Sequence, residues 1–219
     1  MIEKQKSVAS MFKPYEEISS YEAKQKAPDQ SIHNAIVDLG VQFNNNKIIG
    51  ANARCIALLD AMKKLINDFE TPQSQVMSRT LEKHIDKNIT FLKKFKSFNE
   101  GMDSAVKFVM LLLTYLPPDI SDKKAAAWMS EKIDEFIDQK IIRADEEIMA
   151  LGEELIKADD VIMTYARSSL IEKLLIESYT PKKNFSIIVV DNPPYNEGKA
   201  VVEKLANNDI KATYTLLNG

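Results

Sequence analysis

The sequence predicts an α + α/β protein, with an N-terminal helical bundle over 31–158 followed by an incomplete Rossmann-like parallel-sheet domain over 159–219. Three observations predict it. Apolar residues recur at three- and four-residue spacing from Ile32 to Leu155, so no sheet is needed there. From Val161 onward, short β-prone runs alternate with helical segments in the order strand, helix, strand, helix, strand, which is half of a doubly wound sheet. Phe185-Ser186-Ile187-Ile188-Val189-Val190 is a near-continuous apolar run, as expected of a parallel strand covered on both faces.

Residues 1–30 are polar, with only scattered apolar positions such as Val8, Met11, Phe12 and Tyr15, and predict a flexible arm. The first helix carries Ile32, Ala35, Ile36, Leu39 and Phe43 and is broken by Asn44-Asn45-Asn46. A second runs from about Asn52 to Asp68 on the stripe Ile56, Leu59, Met62, Leu65 and Ile66, before Thr71-Pro72. A third, about Ser74 to Lys96, carries Val76, Leu81, Ile85, Leu92 and Phe95, with a bend expected near Asn88. The fourth, Glu100 to Tyr115, is nearly apolar all round in its second half, which predicts a central place in the bundle. After Pro117-Pro118, Ser121 is placed to cap a long helix whose stripe runs Ile133, Ile137, Ile141, Ile148, Leu151, Leu155. Strands follow at Val161–Tyr165, Phe185–Val190 and Lys211–Leu216, with helices at Ser168–Glu177 and around Val201, Val202 and Leu205.

A 45% apolar content is enough to bury a core, and a net charge of −3 gives no global pull towards nucleic acid or anionic membrane. Neither DNA nor membrane is an expected partner. The single cysteine, Cys55, excludes an intramolecular disulfide, and the charged start Met1-Ile2-Glu3-Lys4 lacks a secretory pattern, so a cytosolic setting is expected. The most apolar stretch, Val106 to Leu116, falls well short of the roughly 20 residues that cross a bilayer. Three parallel strands in the usual order leave the flank of the first strand unpaired, so the chain is expected to be cut short inside its C-terminal domain or to have that edge supplied by a partner.

Few residues carry chemistry. His33 and His84 lie in no cluster with metal-ligand spacing, and no metal site is expected. Cys55 shares a stripe with Leu59 and Met62, as a small buried apolar residue does, and only Arg54 beside it hints at activation. Lys93, Lys94 and Lys96 fit a solvated helix face better than a phosphate site, and the acidic residues Asp134, Glu135, Asp138, Asp145, Glu146 and Glu147 fit solvent-facing charge. The turn Tyr165-Ala166-Arg167-Ser168-Ser169 after the first strand has no glycine, so a pyrophosphate could not approach its backbone closely and no cofactor is expected. Ser168 and Ser169 stand at a helix N-terminus, where an N-cap is the simpler role and anion binding the alternative.

Ile48-Ile49-Gly50-Ala51-Asn52-Ala53-Arg54-Cys55-Ile56-Ala57-Leu58-Leu59 resembles the signature of delta subunits in the translation initiation factor 2B alpha/beta/delta family. Ile32-His33-Asn34-Ala35, Leu39-Gly40-Val41-Gln42-Phe43, Asp68-Phe69-Glu70-Thr71-Pro72, and Met102, Ala105, Lys107 and Phe108 extend the resemblance in the same order. It continues at Ile133-Asp134, Lys140-Ile141, Asp160–Tyr165 with Ser168-Ser169-Leu170, and Asp191, Pro194, Glu197 and Gly198. Ribose-phosphate isomerases, including the methylthioribose-1-phosphate enzyme, are similar in fold.

The resemblance implies a regulatory, non-catalytic subunit of the guanine-nucleotide exchange factor for initiation factor 2. Such a subunit would bind the beta, alpha and gamma/epsilon subunits and sense phosphorylation of the factor 2 alpha subunit. The helical domain would be the sensing surface, with Gln139, Lys140 and Arg143 on the outward face of the long helix, Arg54 as support near the signature, and Met11 and Phe12 packing at the core interface. Gln139 and Arg143 stand where family members tend to carry Glu and Leu, and Ala166-Arg167 replaces a more usual Gly-Cys pair. The isomerases place a catalytic cysteine where this chain has Ala166, and Pro193 replaces their phosphate-contacting arginine. The alternatives are therefore a sugar-phosphate isomerase relative or a nonfunctional truncated product.

Overall fold

The computed structural model of the chain describes residue 22 and residues 31–218, so Met11 and Phe12 lie outside the described residues. Packing divides the chain into two compact units, Met1–Ile137 and Asp138–Gly219, a boundary that falls earlier than the 158/159 junction drawn from the sequence.

The first unit is built from α1 (Asn34–Asn44), α2 (Ala51–Asn67), α3 (Met77–Leu92), α4 (Glu100–Thr114) and α5 (Asp122–Ile137). The helix-period stripes are the cause: Phe43, Leu58, Leu59, Met62, Leu65, Ile66, Leu81, Ile85, Leu92 and Met102 are all essentially inaccessible. Each such side chain contributes about 1.5–3 kcal/mol on burial. The hub is α2, which touches α1, α3, α4 and α5. The fourth helix is not central as expected, because its apolar second half divides between inward Val109, Leu112 and Leu113 and an outward Leu111 that is 49% exposed.

Polar side chains fix how α1 and α3 meet. His33 caps α1: the amide of Ala35 donates to its Nδ1 at 3.2 Å, which leaves the proton on Nε2, 3.1 Å from Asp68 Oδ2. The amide of His33 in turn donates to Oδ1 of fully buried Asn88 at 2.8 Å, while Asn88 Nδ2 donates to the His84 carbonyl at 2.8 Å. The helix runs through Asn88 as one element from Met77 to Leu92, with the Asn88 side chain used for a long-range bond. The His84 ring lies 5.4 Å from that of Phe69. At the far end of α3, Lys93 Nζ pairs with Asp103 at 2.9 Å over the Phe98 ring and Lys96 donates to Asn46, so these lysines are engaged within the fold.

The long helix begins as expected after Ser121, whose carbonyl accepts from Ala125, but it is interrupted by a π-helical turn at Asp138–Ile142 before α6 (Arg143–Leu155). A π turn inserts one residue per turn, so the apolar stripe changes phase across it. Ile133 and Ile141 are buried on the expected stripe, yet beyond the turn Met149 faces inward and Ile148, Leu151 and Leu155 are 48%, 61% and 77% exposed. The single continuous stripe read from the sequence is thereby corrected.

In the second unit β1 (Val161–Tyr165), α7 (Ser169–Ser178), β2 (Ser186–Asp191), α8 (Gly198–Ala206) and β3 (Ala212–Leu216) alternate. The sheet is parallel in the order β1-β2-β3, with Ile162 opposite Ile187 and Ile187 opposite Ala212. Leu175 from α7 and Val201 and Leu205 from α8 close over Ile187 and Val189 on one face. The cover on both faces expected of β2 is partial: Ile187 and Val189 are buried on one face while Ile188 and Val190 on the other are half-buried, and on β1 Val161, Met163 and Tyr165 are 67%, 71% and 57% exposed. Among the described residues β1 also has no strand on its outer edge.

One buried carboxylate ties this layer together. Glu172 of α7 is 1% exposed and accepts from Arg167 Nε at 3.3 Å and from Lys204 Nζ of α8. Both cations reach water while the carboxylate does not, so the two halves of the pair are not equivalent. Replacing both Arg167 and Lys204 by Ala leaves a buried charge uncompensated, with an expected loss of about 3–5 kcal/mol. Glu172→Gln leaves only solvated cations and costs about 1–2 kcal/mol. Urea unfolding of the two variants checks the order.

A second prediction concerns pH. Burial, followed by His33 and Lys87, holds the His84 pKa below its ordinary 6.5. The unfolded chain therefore takes up a proton that the folded chain refuses, and stability present above pH 6.5 declines as pH falls from there towards the folded value. Thermal unfolding between pH 7.5 and 5 should show His84→Gln with a shallower decline than the unsubstituted chain.

Candidate interaction surface

The structure brings three of the predicted site residues together at the π turn. Gln139 and Lys140 lie within it and Arg143 opens α6, and all three are exposed. Ile141 alone of the turn is buried, so it anchors the turn while its neighbours point outward. Arg143 Nε donates to Asp138 Oδ2 at 2.8 Å across the turn. This pair is 68% and 47% exposed and contributes little to stability, about 0–1 kcal/mol, so its charges are available for exchange with an incoming group. Exposed Ile142, 46% accessible, adds an apolar patch to the cationic and amide groups. In the sequence Asp138 reads only as solvent-facing charge, and the π turn goes unread because a π insertion leaves no residue-type signal.

Arg54 stands elsewhere. Its Nε donates to the Gly50 carbonyl at 3.3 Å at the start of α2, so it closes the first turn of its own helix. Its neighbour Cys55 is 5% exposed, lies 3.5 Å from the Gly101 carbonyl, and has its thiol pKa raised by burial. A thiol that is buried and pushed up is a poor nucleophile.

At the carboxyl ends of the strands, where open α/β sheets bind ligands, the buried carboxylate serves the fold. Asp191, 1% exposed, accepts from the amides of Asn192 and Gly198, both at 2.9 Å, and from the Tyr214 hydroxyl at 3.0 Å. The Tyr214 pKa is raised, by burial first and then by Asp191. A Cβ at Gly198 would stand 2.9 Å from Val189 and 3.0 Å from the Asp191 carboxyl, so only glycine allows that close approach. Ala166 has φ 53°, a left-handed conformation at the position where a glycine is more usual, and its amide donates to the Val190 carbonyl at 2.8 Å. Ser168 acts as the N-cap of α7, accepting from the amide of Ile171 at 3.4 Å. No group of three metal-ligating side chains converges among the described residues.

Comparison with known proteins gives one consistent answer. A profile described as the Initiation factor 2 subunit family matches residues 47–218. The chain is 35% identical over 189 residues to "Translation initiation factor eIF2B subunit delta" of Schizosaccharomyces pombe, covering 86% of this chain and 40% of that protein. It is 32% identical over 201 residues to the protein of the same name in Dictyostelium discoideum, covering 92% of this chain and 32% of that one. The chain thus spans less than half the length of either of these two relatives. Among solved structures it is similar to eIF2B delta from Chaetomium thermophilum, with a TM-score of 0.79 and 26% identity over 85% of this chain and 69% of that one. It is similar also to a chain in the tetrameric eIF2B-beta2-delta2 complex from C. thermophilum, with a TM-score of 0.80 and 26% identity over 87% of this chain and 61% of that one. With a matched span that takes in the run from Ile48 to Leu59, every helix from α2 onward and the whole sheet, the chain belongs to the Initiation factor 2 subunit family.

Proposed function

We propose that this chain acts as a regulatory, non-catalytic subunit of the guanine-nucleotide exchange factor for translation initiation factor 2. In this reading it binds the beta, alpha and gamma/epsilon subunits in the cytosol and contacts the factor 2 alpha subunit in a phosphorylation-dependent way. The observation that carries it is the exposed π turn, where Lys140 and Arg143 reach solvent, on a chain that belongs to the Initiation factor 2 subunit family. Two features support a non-catalytic role: Ala166 stands where the related isomerases carry a catalytic cysteine, and Asp191 is enclosed by three donors of its own chain. A phosphoserine adds about −1.5 to −2 charge, and Lys140 and Arg143 offer two cations to meet it, Arg143 by exchanging Asp138 for the phosphate.

Three measurements test the reading. The tagged chain expressed in its own cells should recover the beta subunit and initiation factor 2, and recovery of neither would sink it. In binding assays with phosphorylated factor 2 alpha subunit, Lys140→Glu combined with Arg143→Glu should weaken affinity by about tenfold, as two rim charges reversed together cost about 1.4 kcal/mol. The same double substitution should leave binding to the unphosphorylated form within about twofold. Purified protein should give no turnover of an aldose phosphate to its ketose, and measurable turnover would restore the isomerase reading.

A further inference from the structure

Within the second unit, α6 and α7 approach most closely where Gly152 faces Leu174, since a Cβ at Gly152 would stand 2.6 Å from Leu174 Cδ2. Beside that contact the two helices form an open cavity of about 260 Å³. Met149 and Leu174 supply an apolar floor, and both are buried. Glu146 and Glu153, from one face of α6, and Glu177 of α7 bring three carboxylates to it, against the single ammonium of Lys173. Lys173 pairs with Glu177 at 3.7 Å, whereas Glu146 and Glu153 have no ion-pair partner among the described residues.

An independent feature points to an outside ligand. Ser178 lines the same cavity, is 1% exposed, and its Oγ is the buried side-chain oxygen left without a hydrogen-bond partner among the described residues. A buried hydroxyl without a partner destabilises the fold that contains it, so one retained beside a cavity calls for a donor from elsewhere. The excess of carboxylates makes that donor a cation. A divalent metal is a poor match, because no three metal-ligating groups converge among the described residues.

We propose that this cavity receives the guanidinium of an arginine side chain presented by a partner protein. The trimethylene stem lies along Met149 and Leu174. The planar fork donates to the carboxylates at the rim, and one of its five N–H groups reaches Ser178 Oγ. Lysine fits less well, since a compact, strongly hydrated ammonium must shed its water to enter over an apolar floor and cannot address hydroxyl and carboxylates in one plane. The inference stands apart from the exchange-factor reading and uses none of the residues on which that reading rests.

The test is titration of the full chain with N-acetyl-arginine amide, followed by the Leu174 and Ala150 methyl resonances, with N-acetyl-citrulline amide as the uncharged counterpart and free arginine as the small-molecule source. The arginine amide should shift both methyls saturably in the millimolar range, and the citrulline amide should not. Glu153→Gln or Glu177→Gln should weaken binding about fivefold. Lys173→Gln should tighten it by removing the competing ammonium. The discriminating variant is Ser178→Ala, which should weaken binding about threefold while raising Tm, because it deletes an unsatisfied hydroxyl. Equal shifts with the citrulline amide, or binding unchanged in Ser178→Ala, would overturn the proposal. Tighter binding of free arginine than of the amide would overturn the assignment to a partner's side chain.

Discussion

The handedness of the strand–helix–strand crossover is the constraint on which the second unit depends. Parallel neighbours must be joined by right-handed crossovers, and both crossovers here step in the same direction, β1 to β2 to β3. They therefore deliver α7 and α8 to one face of the sheet, where the two helices touch. Burial of Ile187 and Val189 beneath Leu175, Val201 and Leu205 follows from that chirality. So does the position of Glu172, which is driven between the helices and is tolerable there only because Lys204 and Arg167 reach in from the rim. The opposite face receives no helix from these crossovers, which is why Val161, Met163 and Tyr165 remain in contact with water.

Periodicity made most of this fold legible. The apolar stripes of α1 and α2 and the β-prone runs at Val161, Ser186 and Ala212 placed their elements within a few residues, because burial of one face is what the pattern encodes. Three things were not legible, each for a physical reason. The π turn is set by packing around Ile141 and leaves the one-letter pattern looking like an uninterrupted helix, so Ile148, Leu151 and Leu155 read as core when they are surface. Asn88 looked like a weak point in α3, since its partners at His33 and Ser31 are more than fifty residues away in sequence. Glu172 carried no signal in the pattern, since one of its partners, Lys204, stands 32 residues away in sequence.

The candidate surfaces divide in the same way. Gln139, Lys140 and Arg143 were found from a resemblance rather than from pattern, and the structure adds what unites them: a helical irregularity, a kind of feature often found at functional sites. The sheet end lost its interest for the opposite reason. Within its sequence Asp191 and Gly198 are accounted for by geometry, because the carboxyl has three donors and Gly198 leaves room for nothing larger. Ala166 nearby holds a left-handed backbone at the turn that follows β1.

The distribution of exposed apolar groups bears on the choice between a catalyst and a binding protein. Single exposed hydrophobic residues are ordinary on any protein surface. Here Ile142, Ile148, Leu151, Leu155, Val161, Met163 and Tyr165 all fall within one stretch of the second unit, on α6, the turn before it and β1. Leu151 and Leu155 share one helix face with Ile148, while Val161, Met163 and Tyr165 share one face of a strand, so both elements present ordered rows and not scattered residues. A protein that works by contact gains area that excludes water around charged groups such as Arg143 and strengthens them by doing so.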